Sequence, residues 1–307
     1  MKIAFIGDIH LDSQTPISRI DNYRETTLKK LNSLLSLCIE SDIDVIISTG
    51  DFFDKYDQPI AYLIEVVAVL AKFKQHSIKF YTLIGNHDLP YNNMEYFKNT
   101  PLNLLVKAGV VELFDVLEFD HLNIFGLHFT ETLDKFKNFS KEKKSFLIMH
   151  YASENTVPGE SIELKNLTNF DVVIAGHDHM PYDPIKKYNT VLIRPGSFTR
   201  RTKEVYNLSR DNILIYTYDT KSKDFAVLHL PNVVPAKNIF KNESFVESGI
   251  NLYSNKYNDL FNESYFNSKA QDIFQILDSL PILVTQESKN EIINFLKKQG
   301  LERITYE

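Results

Sequence analysis

The amino-acid sequence predicts a layered α/β fold followed by a small C-terminal helical appendage. Short β-branched or aromatic runs alternate with segments of helical periodicity, which is typical of sheets covered by helices. Hydrophobic residues make up 43% and aromatic residues 12% of the 307 residues, as in globular proteins. A chain of this length can bury a large core in one main domain with a smaller addition.

Eight segments have the composition of strands, and three have the periodicity of helices. The predicted strands are residues 2–6, 44–48, 79–84, 122–127, 145–149, 171–175, 191–194 and 212–218. The predicted helices are residues 23–40, 60–73 and 94–106. In the first helix Leu28, Leu31 and Leu35 recur at three- and four-residue spacing, so we expect one apolar stripe to pack on a sheet.

The composition changes near residue 238, where Asn, Ser, Lys and Glu become more frequent and strand patterns fade. We therefore expect a main domain over residues 1–237 and an appendage over residues 238–307. Helical patterns remain near residues 268–280 and 288–299, with enough apolar positions to pack on the main domain or on a partner. Both alternatives stay open at this point.

The single cysteine, Cys38, lies in an apolar stretch and excludes a disulfide framework within the chain. The apolar run at the N-terminus is too short for a signal peptide, and no later run approaches about 18 apolar residues. We expect a cytoplasmic protein, or one of the host-cell cytoplasm if the Asn- and Lys-rich composition reflects a viral genome.

The formal net charge of −6 argues against a protein that coats nucleic acid by bulk charge. One local window differs, because residues 186–210 contain seven basic residues and one acidic residue. Within it, Arg200, Arg201 and Lys203 are our candidates for contacts with a DNA backbone, since phosphate contacts need no particular spacing. The alternative for this window is a solvated charged face.

Five polar clusters follow predicted strands directly, where open α/β sheets gather their ligand-binding loops. They are Gly7-Asp8-Ile9-His10, Gly50-Asp51-Phe52-Phe53-Asp54, Gly85-Asn86-His87-Asp88, His150, and Gly176-His177-Asp178-His179. An Asp-x-His or His-x-His pair in extended backbone places both side chains on one face. Carboxylate, imidazole and amide groups suit divalent Mn, Fe or Zn, and Asp51 is the natural shared ligand of two ions.

In this order the clusters resemble the calcineurin-like metallophosphoesterase superfamily, with its D-x-H, G-D, G-N-H-[D/E], H and G-H-x-H pattern, over residues 8–179. The resemblance implies a four-layer α/β/β/α sandwich that holds two divalent metal ions. Manganese is expected, with magnesium, iron or zinc as alternatives. The implied ligands are Asp8, His10, Asp51 and His179 for one ion, and Asp51, Asn86, His150 and His177 for the other.

Within that superfamily, Gly50-Asp51-Phe52-Phe53-Asp54 and Arg194-Pro195-Gly196-Ser197 are similar to segments of the Mre11/SbcD DNA repair nucleases. This narrower resemblance implies a nuclease that hydrolyses DNA phosphodiester bonds, exo- or endonucleolytically, as a subunit of an Mre11/Rad50 (SbcCD)-like complex for DNA end processing. It also implies that a Rad50/SbcC-like SMC ATPase docks on the C-terminal helices. The sequence leaves open whether the chain forms a homodimer.

Two metal ions can neutralise phosphate oxygens and lower the pKa of a water, so the expected chemistry is in-line attack of water on phosphorus. His87, beside Asn86 but not itself an expected ligand, is our candidate for the general acid. The resemblance implies that Asp54 orients His87, and Asp88 is an alternative for that role.

Two other functions compete with the nuclease. The first is a phosphatase or a small-molecule or cyclic-nucleotide phosphodiesterase, which needs a narrow pocket in place of a DNA groove. The second is a non-catalytic, DNA-tethering subunit in which the metals only stabilise the fold. His87 speaks against the second, because a structural metal site needs no acid beside it.

Overall fold

The computed structural model describes residues 1–137, 142–154, 156–157, 159–210 and 212–241. The chain divides into two compact units, Met1–Asn242 and Glu243–Glu307, and the described residues belong to the first. The helices expected near residues 268–280 and 288–299 lie outside the described residues. The boundary expected at residue 237 and the appendage beyond it stay predictions.

The described residues form fourteen strands, four α-helices and several 3-10 helices. In chain order the strands and α-helices are β1 (Lys2–Ile6), α1 (Tyr23–Glu40), β2 (Val45–Ser48), α2 (Ile60–Gln75), β3 (Lys79–Thr82), α3 (Pro101–Lys107), β4 (Glu112–Leu113), β5 (Val116–Glu118), β6 (Leu122–Leu127), β7 (Lys144–Met149), β8 (Ala152–Ser153), β9 (Ser161–Ile162), β10 (Val172–Ala175), β11 (Tyr182–Lys187), β12 (Thr190–Arg194), α4 (Val205–Ser209), β13 (Leu214–Asp219) and β14 (Asp224–His229). The 3-10 helices are Pro90–Asn92, Met94–Asn99, Leu133–Phe136, Leu164–Asn166 and Ala236–Asn238.

Two six-stranded sheets form the body of the protein. Their strand orders are β14-β13-β1-β2-β3-β4 and β11-β12-β10-β7-β6-β5. The inner neighbours β1, β2 and β3 are parallel, as are β6, β7, β10 and β12, whereas β13, β14, β11 and β5 pair antiparallel. The expected mixed α/β architecture is therefore confirmed.

Alternation along β1 shows how the layers are built. Ile3 and Phe5 belong to a buried cluster that also contains Phe146 and Ile148 of the other sheet, so this core lies between the two sheets. Ala4 and Ile6 instead join a second cluster with residues of α1 and α2, such as Leu31 and Phe73. Successive side chains of a strand point to opposite faces, which places β1 between the second sheet and the layer formed by α1 and α2.

The outer face of the second sheet carries a third apolar cluster, which includes Leu147 and Val173. Leu164 and the partly buried Leu133 and Phe136, which lie in two 3-10 helices, pack in this cluster. The expected fourth layer of α-helix is thus, within the described residues, formed by short 3-10 helices and loops.

The predicted helices were confirmed with one difference. The helix predicted over residues 23–40 is α1, and the Asn22 side chain caps it by accepting from the Glu25 N–H. The helix predicted over residues 94–106 is instead a 3-10 helix, Met94–Asn99, followed by α3. Thr100 and Pro101 cause the break, because Thr100 adopts extended backbone to cap α3 and Pro101 has no N–H to continue the earlier helix.

The polar clusters follow the carboxyl ends of β1, β2 and β3 in one sheet and of β7 and β10 in the other. These ends meet across the molecule, since the Gly176 Cα faces Asp8 and the Gly50 Cα faces His150 closely enough that a Cβ would collide. The fold therefore collects side chains from distant parts of the chain at one edge. Among the described helices, none combines the length and hydropathy needed to span a bilayer.

Gly7, at the end of β1, touches the turn that follows β12. A Cβ on Gly7 would lie 1.7 Å from the Gly196 carbonyl oxygen, and that neighbour is backbone. We expect Gly7→Ala to lower the free energy of unfolding by about 1–3 kcal/mol, because the turn has to move. Urea denaturation followed by circular dichroism measures it, and an unchanged midpoint would contradict this contact.

Candidate metal centre

Four of the expected ligands form a first group of potential metal-binding atoms. Asp8, His10, Asp51 and His179 each place one such atom within 4.8 Å of the others. The two Nε2 atoms of His10 and His179 are 2.8 Å apart, and His10 Nε2 lies 3.6 Å from Asp51 Oδ2. His179 Nε2 lies 3.8 Å from Asp8 Oδ2. The group brings together the ends of three separate strands.

A second group shares Asp51 with the first. Ligand atoms of Asp51, His150 and His177 also lie within 4.8 Å of one another. His150 Nε2 is 3.3 Å from Asp51 Oδ1 and 3.0 Å from the Asn86 side-chain oxygen. Asp51 thus turns one carboxylate oxygen toward each group, which is the geometry of a ligand that bridges two ions.

The donor set fits divalent cations. Asp8, His10, Asp51 and His150 are at most 1% exposed, although a buried charge needs a partner. Among the described residues, Asp51 Oδ2 and His10 Nδ1 have no hydrogen-bond partner, which is costly for buried polar atoms. A cation beside Asp51 Oδ2 would satisfy that oxygen, and the mixture of carboxylate, imidazole and amide suits borderline divalent metals.

The electrostatics of the pocket favour positive charge beside Asp51. Burial lowers the pKa of His150, but the carboxylates of Asp51 and Asp8 outweigh it and raise that pKa to about 10. Burial raises the pKa of Asp51, but His150, His10 and His87 outweigh it and hold that pKa below the usual range. Burial and the neighbouring His10 lower the pKa of His179 to about 4.

Three of these residues have left-handed backbone conformations, which residues other than glycine rarely adopt. The φ angles are 50° at His10, 42° at Asp51 and 68° at His177. Hydrogen bonds hold them there, because the Asp51 carbonyl accepts from the N–H of Ile9 and of His10, and the His177 N–H donates to Asp8 Oδ2. Strain of this kind is typical of functional sites.

Glycine allows the loops to approach the carboxylates. A Cβ on Gly85 would lie 2.0 Å from Asp51 Oδ1, and one on Gly176 would lie 2.5 Å from Asp8 Oδ1. Any other residue would push these loops away from the ligands. The glycines in the motifs therefore serve the close packing of the site.

Thr49 orients two ligands and was missed in the sequence. Its hydroxyl donates to Asp8 Oδ1 at 2.6 Å, and its carbonyl accepts from His150 Nδ1 at 2.9 Å. The second bond leaves His150 Nε2 as the nitrogen that faces Asn86 and Asp51. Its place directly before Gly50-Asp51 was the available signal.

His87 lies at the edge of the centre and is 34% exposed. Its Nδ1 donates to the main-chain oxygen of Asp54 at 2.7 Å, and its Nε2 lies 4.0 Å from Asp51 Oδ2. The Asp54 carboxylate is farther from this ring, at 3.9 Å, and instead lies 3.5 Å from His10 Nδ1 and 2.7 Å from Arg201 Nη2. Asp54 thus contacts His87 mainly through its backbone.

Asp88, the alternative for that role, has a different position. Its carboxylate accepts hydrogen bonds from the N–H groups of Phe52, Phe53 and Gly85. Burial and the charge of Asp51 raise its pKa to about 7. Asp88 joins the loops after β2 and β3, and these contacts lend no support to a role in orienting His87.

The basic window also needs a correction. Arg200 is fully buried, and its guanidinium donates to the carbonyls of Arg210 and Val234, so it cannot reach DNA in this fold. Arg201 is 34% exposed and pairs with Asp54. Lys203 is partly exposed. The sequence alone does not distinguish a buried arginine from one that contacts DNA, and the prediction of a DNA contact for Arg200 was therefore wrong.

With this geometry in place, comparison with known proteins decides the family. Residues 1–181 match the family described as calcineurin-like phosphoesterase. This chain belongs to that family. A calcineurin-like phosphoesterase with these Asp and His groups is a metal-dependent phosphoesterase with the residues of a dimetal active site.

Several curated relatives of this phosphoesterase carry the name "DNA double-strand break repair protein Mre11". The protein from Sulfolobus acidocaldarius is 25% identical over 195 residues, which cover 58% of this chain and 50% of that protein. The one from Methanocaldococcus jannaschii is 28% identical over 201 residues, 58% of this chain and 51% of that protein. The chain spans about half the length of these two relatives.

A third relative with that name, from Methanococcus maripaludis, is 25% identical in a match that covers 89% of this chain and 81% of that protein. Among solved structures, a dimetal phosphatase from Danio rerio is similar, with a TM-score of 0.50 and 12% identity. That match covers 75% of this chain and 95% of the phosphatase. At this identity, the likeness to the phosphatase supports the fold alone.

The shared position of Asp51 can be tested by its amide variant. We expect Asp51→Asn to weaken binding of both ions by at least about 10-fold, because the shared group loses its negative charge and one of its two oxygens becomes an NH₂ group. Mass spectrometric metal analysis after dialysis against Mn²⁺ measures the content. Asp57→Asn, at an exposed carboxylate on the same loop, is the control. Loss of only one ion would contradict a bridging ligand.

Proposed function

We propose that this phosphoesterase is a metal-dependent DNA nuclease, acting exo- or endonucleolytically as the nuclease subunit of an Mre11/Rad50-like complex for DNA end processing. The observation that carries the proposal is a pair of potential metal-binding groups that share Asp51, in a chain whose curated relatives are named as Mre11 repair proteins, one of them matched over 89% of this chain. Those relatives are distant, so the substrate is part of the proposal.

We assign Asp8, His10, Asp51 and His179 to one metal ion, and Asp51, Asn86, His150 and His177 to the other. The two groups of neighbouring ligand atoms support this division. When bound, two divalent ions neutralise phosphate oxygens and lower the pKa of a water. Manganese is the ion proposed, and the donor atoms also suit iron or zinc.

His87 is proposed as the general acid. Its Nδ1–H is held by the Asp54 carbonyl, so in the imidazolium form Nε2 is the nitrogen that gives its proton to the leaving oxygen, and the ring returns to the neutral form. That atom lies 4.0 Å from Asp51 Oδ2, and about a third of the ring is exposed. A substrate phosphate bound near Asp51 would therefore be within reach of this proton.

DNA contacts are proposed for Lys203. They are also proposed for Arg201, if a DNA phosphate replaces Asp54 as the partner of its guanidinium. Phosphate contacts position a duplex without reading its sequence, so one or two cations beside the metals suffice for orientation. A Rad50/SbcC-like ATPase is the proposed protein partner. Its docking helices would lie in residues 268–280 and 288–299, outside the described part of the chain.

A phosphatase or small-molecule phosphodiesterase is the second candidate. Two observations favour it, because Arg200 is buried and Arg201 is paired with Asp54, which leaves less positive charge for a DNA backbone. A non-catalytic DNA-tethering subunit is less well supported, since a purely structural metal site needs no partly exposed histidine beside its ligands.

Replacing His87 tests the proposed chemistry. We expect His87→Ala to lower the turnover of DNA by about 10²–10⁴-fold while two ions remain bound, because the variant lacks the acid but keeps every proposed ligand. The assay is Mn²⁺-dependent release of nucleotides from single- and double-stranded DNA, with an aryl phosphodiester in parallel. His76→Ala, at the exposed histidine that caps the C-terminus of α2, is the control.

Each outcome of that assay has a clear meaning. DNA cleavage that is lost in the variant supports the nuclease. Aryl ester hydrolysis by the wild type without DNA cleavage would replace the nuclease by the small-substrate phosphodiesterase. DNA binding without hydrolysis of either substrate would leave the tethering subunit.

Lys203 distinguishes a DNA groove from a small-molecule pocket. We expect Lys203→Ala to weaken DNA binding and to reduce the slope of log affinity against log salt by about 1, because one phosphate contact is lost. Fluorescence anisotropy at several salt concentrations measures the slope. Lys221→Ala, at an exposed lysine in the turn between β13 and β14, is the control. Equal slopes for the two variants would argue against DNA contact at Lys203.

A further inference from the structure

Glu160 contacts the metal centre, although no motif in the sequence includes it. Its Oε2 lies 2.6 Å from His177 Nε2, which is a short hydrogen bond. The Glu160 side chain is 41% exposed, whereas that of His177 is 10% exposed. The carboxylate therefore lies at the rim of the centre and reaches a ring that is mostly enclosed.

The backbone around Glu160 holds the carboxylate in place. β8 follows His150 almost directly and pairs in parallel with β9, which begins at the residue after Glu160. The Glu160 carbonyl accepts from the Ala152 N–H at 3.0 Å. The loop that carries Glu160 is thus tied to the strand end that carries another expected ligand.

His177 is held by contacts of its backbone with Asp8 and of its ring with Phe129 and Glu160. Its N–H donates to Asp8 Oδ2 at 2.8 Å, and its backbone has a φ of 68°. The ring of Phe129 lies 6.1 Å from the His177 ring and 6.2 Å from the His150 ring, measured between centroids. With Nε2 bound to Glu160, Nδ1 is the ring nitrogen left to bind an ion together with Asp51 and His150.

We propose that Glu160 is a positioning residue for the second metal site. Its carboxylate accepts the Nε2–H of His177, which fixes the tautomer whose Nδ1 lone pair faces the ion and makes that nitrogen a stronger ligand. The inference rests on the proposed assignment of His177 as a ligand. It adds a carboxylate–histidine pair that the motif pattern does not contain.

The contrast with His150 shows what the carboxylate adds. The ring nitrogen of His150 that points away from Asp51, Nδ1, donates to the neutral carbonyl of Thr49. In His177 the nitrogen Nε2 instead donates to the Glu160 carboxylate. Hydrogen bonds to ionised acceptors are about twice as strong as hydrogen bonds between neutral groups. Among the described residues, Glu160 is not in the groups whose ligand atoms lie within 4.8 Å of one another, so it acts through His177.

Calorimetric titration of the metal-free, full-length protein with Mn²⁺ tests the proposal. We expect Glu160→Ala to weaken one of the two binding events by about 10–100-fold and to leave the other unchanged. Glu160→Gln should show a smaller loss, because its amide oxygen still accepts the Nε2–H. Glu163→Gln is the control, since that partly exposed carboxylate pairs with Lys165.

A double-mutant cycle separates positioning from direct binding. If Glu160 acts through His177, Glu160→Ala should add no further loss of Mn²⁺ affinity in the His177→Ala background. Additive losses, or wild-type Mn²⁺ binding by Glu160→Ala, would overturn the proposal. Thermal denaturation checks folding, and Glu160→Gln keeps the test valid if the alanine variant unfolds.

This experiment is independent of the substrate. Two Mn²⁺ binding events of which only one is weakened in Glu160→Ala, in a protein that cuts no DNA, would support the role of Glu160 and count against the nuclease. DNA cleavage by the protein, together with Mn²⁺ binding that is unchanged in Glu160→Ala, would support the nuclease and overturn the role of Glu160.

Discussion

The burial of Asp8 and Asp51 between two sheets is the constraint on which the rest of the structure depends. Both carboxylates are 1% exposed, next to an apolar core, and burying such charges without compensation would cost far more than a protein's net stability. The surrounding donors, from Thr49, the His177 N–H and the His87 N–H, supply part of the compensation. Divalent cations would supply the remainder, so fold and chemistry depend on the same charges.

The scaffold has to be stiff to hold this arrangement. Left-handed backbone at His10, Asp51 and His177 costs free energy at each position, and it persists only where packing leaves no alternative. Two neighbouring loops of the first sheet hold one another in place, because Asp88 ties the loop after β2 to the loop after β3. A rigid, preorganised ligand set limits the motion of the bound groups, which is what catalysis by positioned charge requires.

The sequence predicted the parts of this protein that are locally encoded. Eight strands, the bounds of α1 and the gathering of the motif residues followed from short-range patterns, since each cluster lies directly after a strand. The exposed edge strands β11 and β14 were missed because five of the six residues of β11 are exposed and no apolar alternation marks either strand. Glu160 and the burial of Arg200 were missed for another reason: both depend on contacts between segments far apart in the chain.

The position of Arg201 bears on the choice between a large and a small substrate. Its guanidinium pairs with Asp54, whose carboxylate also faces His10 of the first metal group. Without a substrate, the charge of Arg201 therefore compensates Asp54. Burial raises the pKa of Asp54, but His10 and Arg201 outweigh it and keep the carboxyl ionised. If a DNA phosphate drew Arg201 away, Asp54 would lose that partner while the incoming phosphate brought more negative charge to the same rim. A nuclease built on this site would therefore gain most of its phosphate affinity from the two metal ions, and its surface cations would mainly set the orientation of the strand.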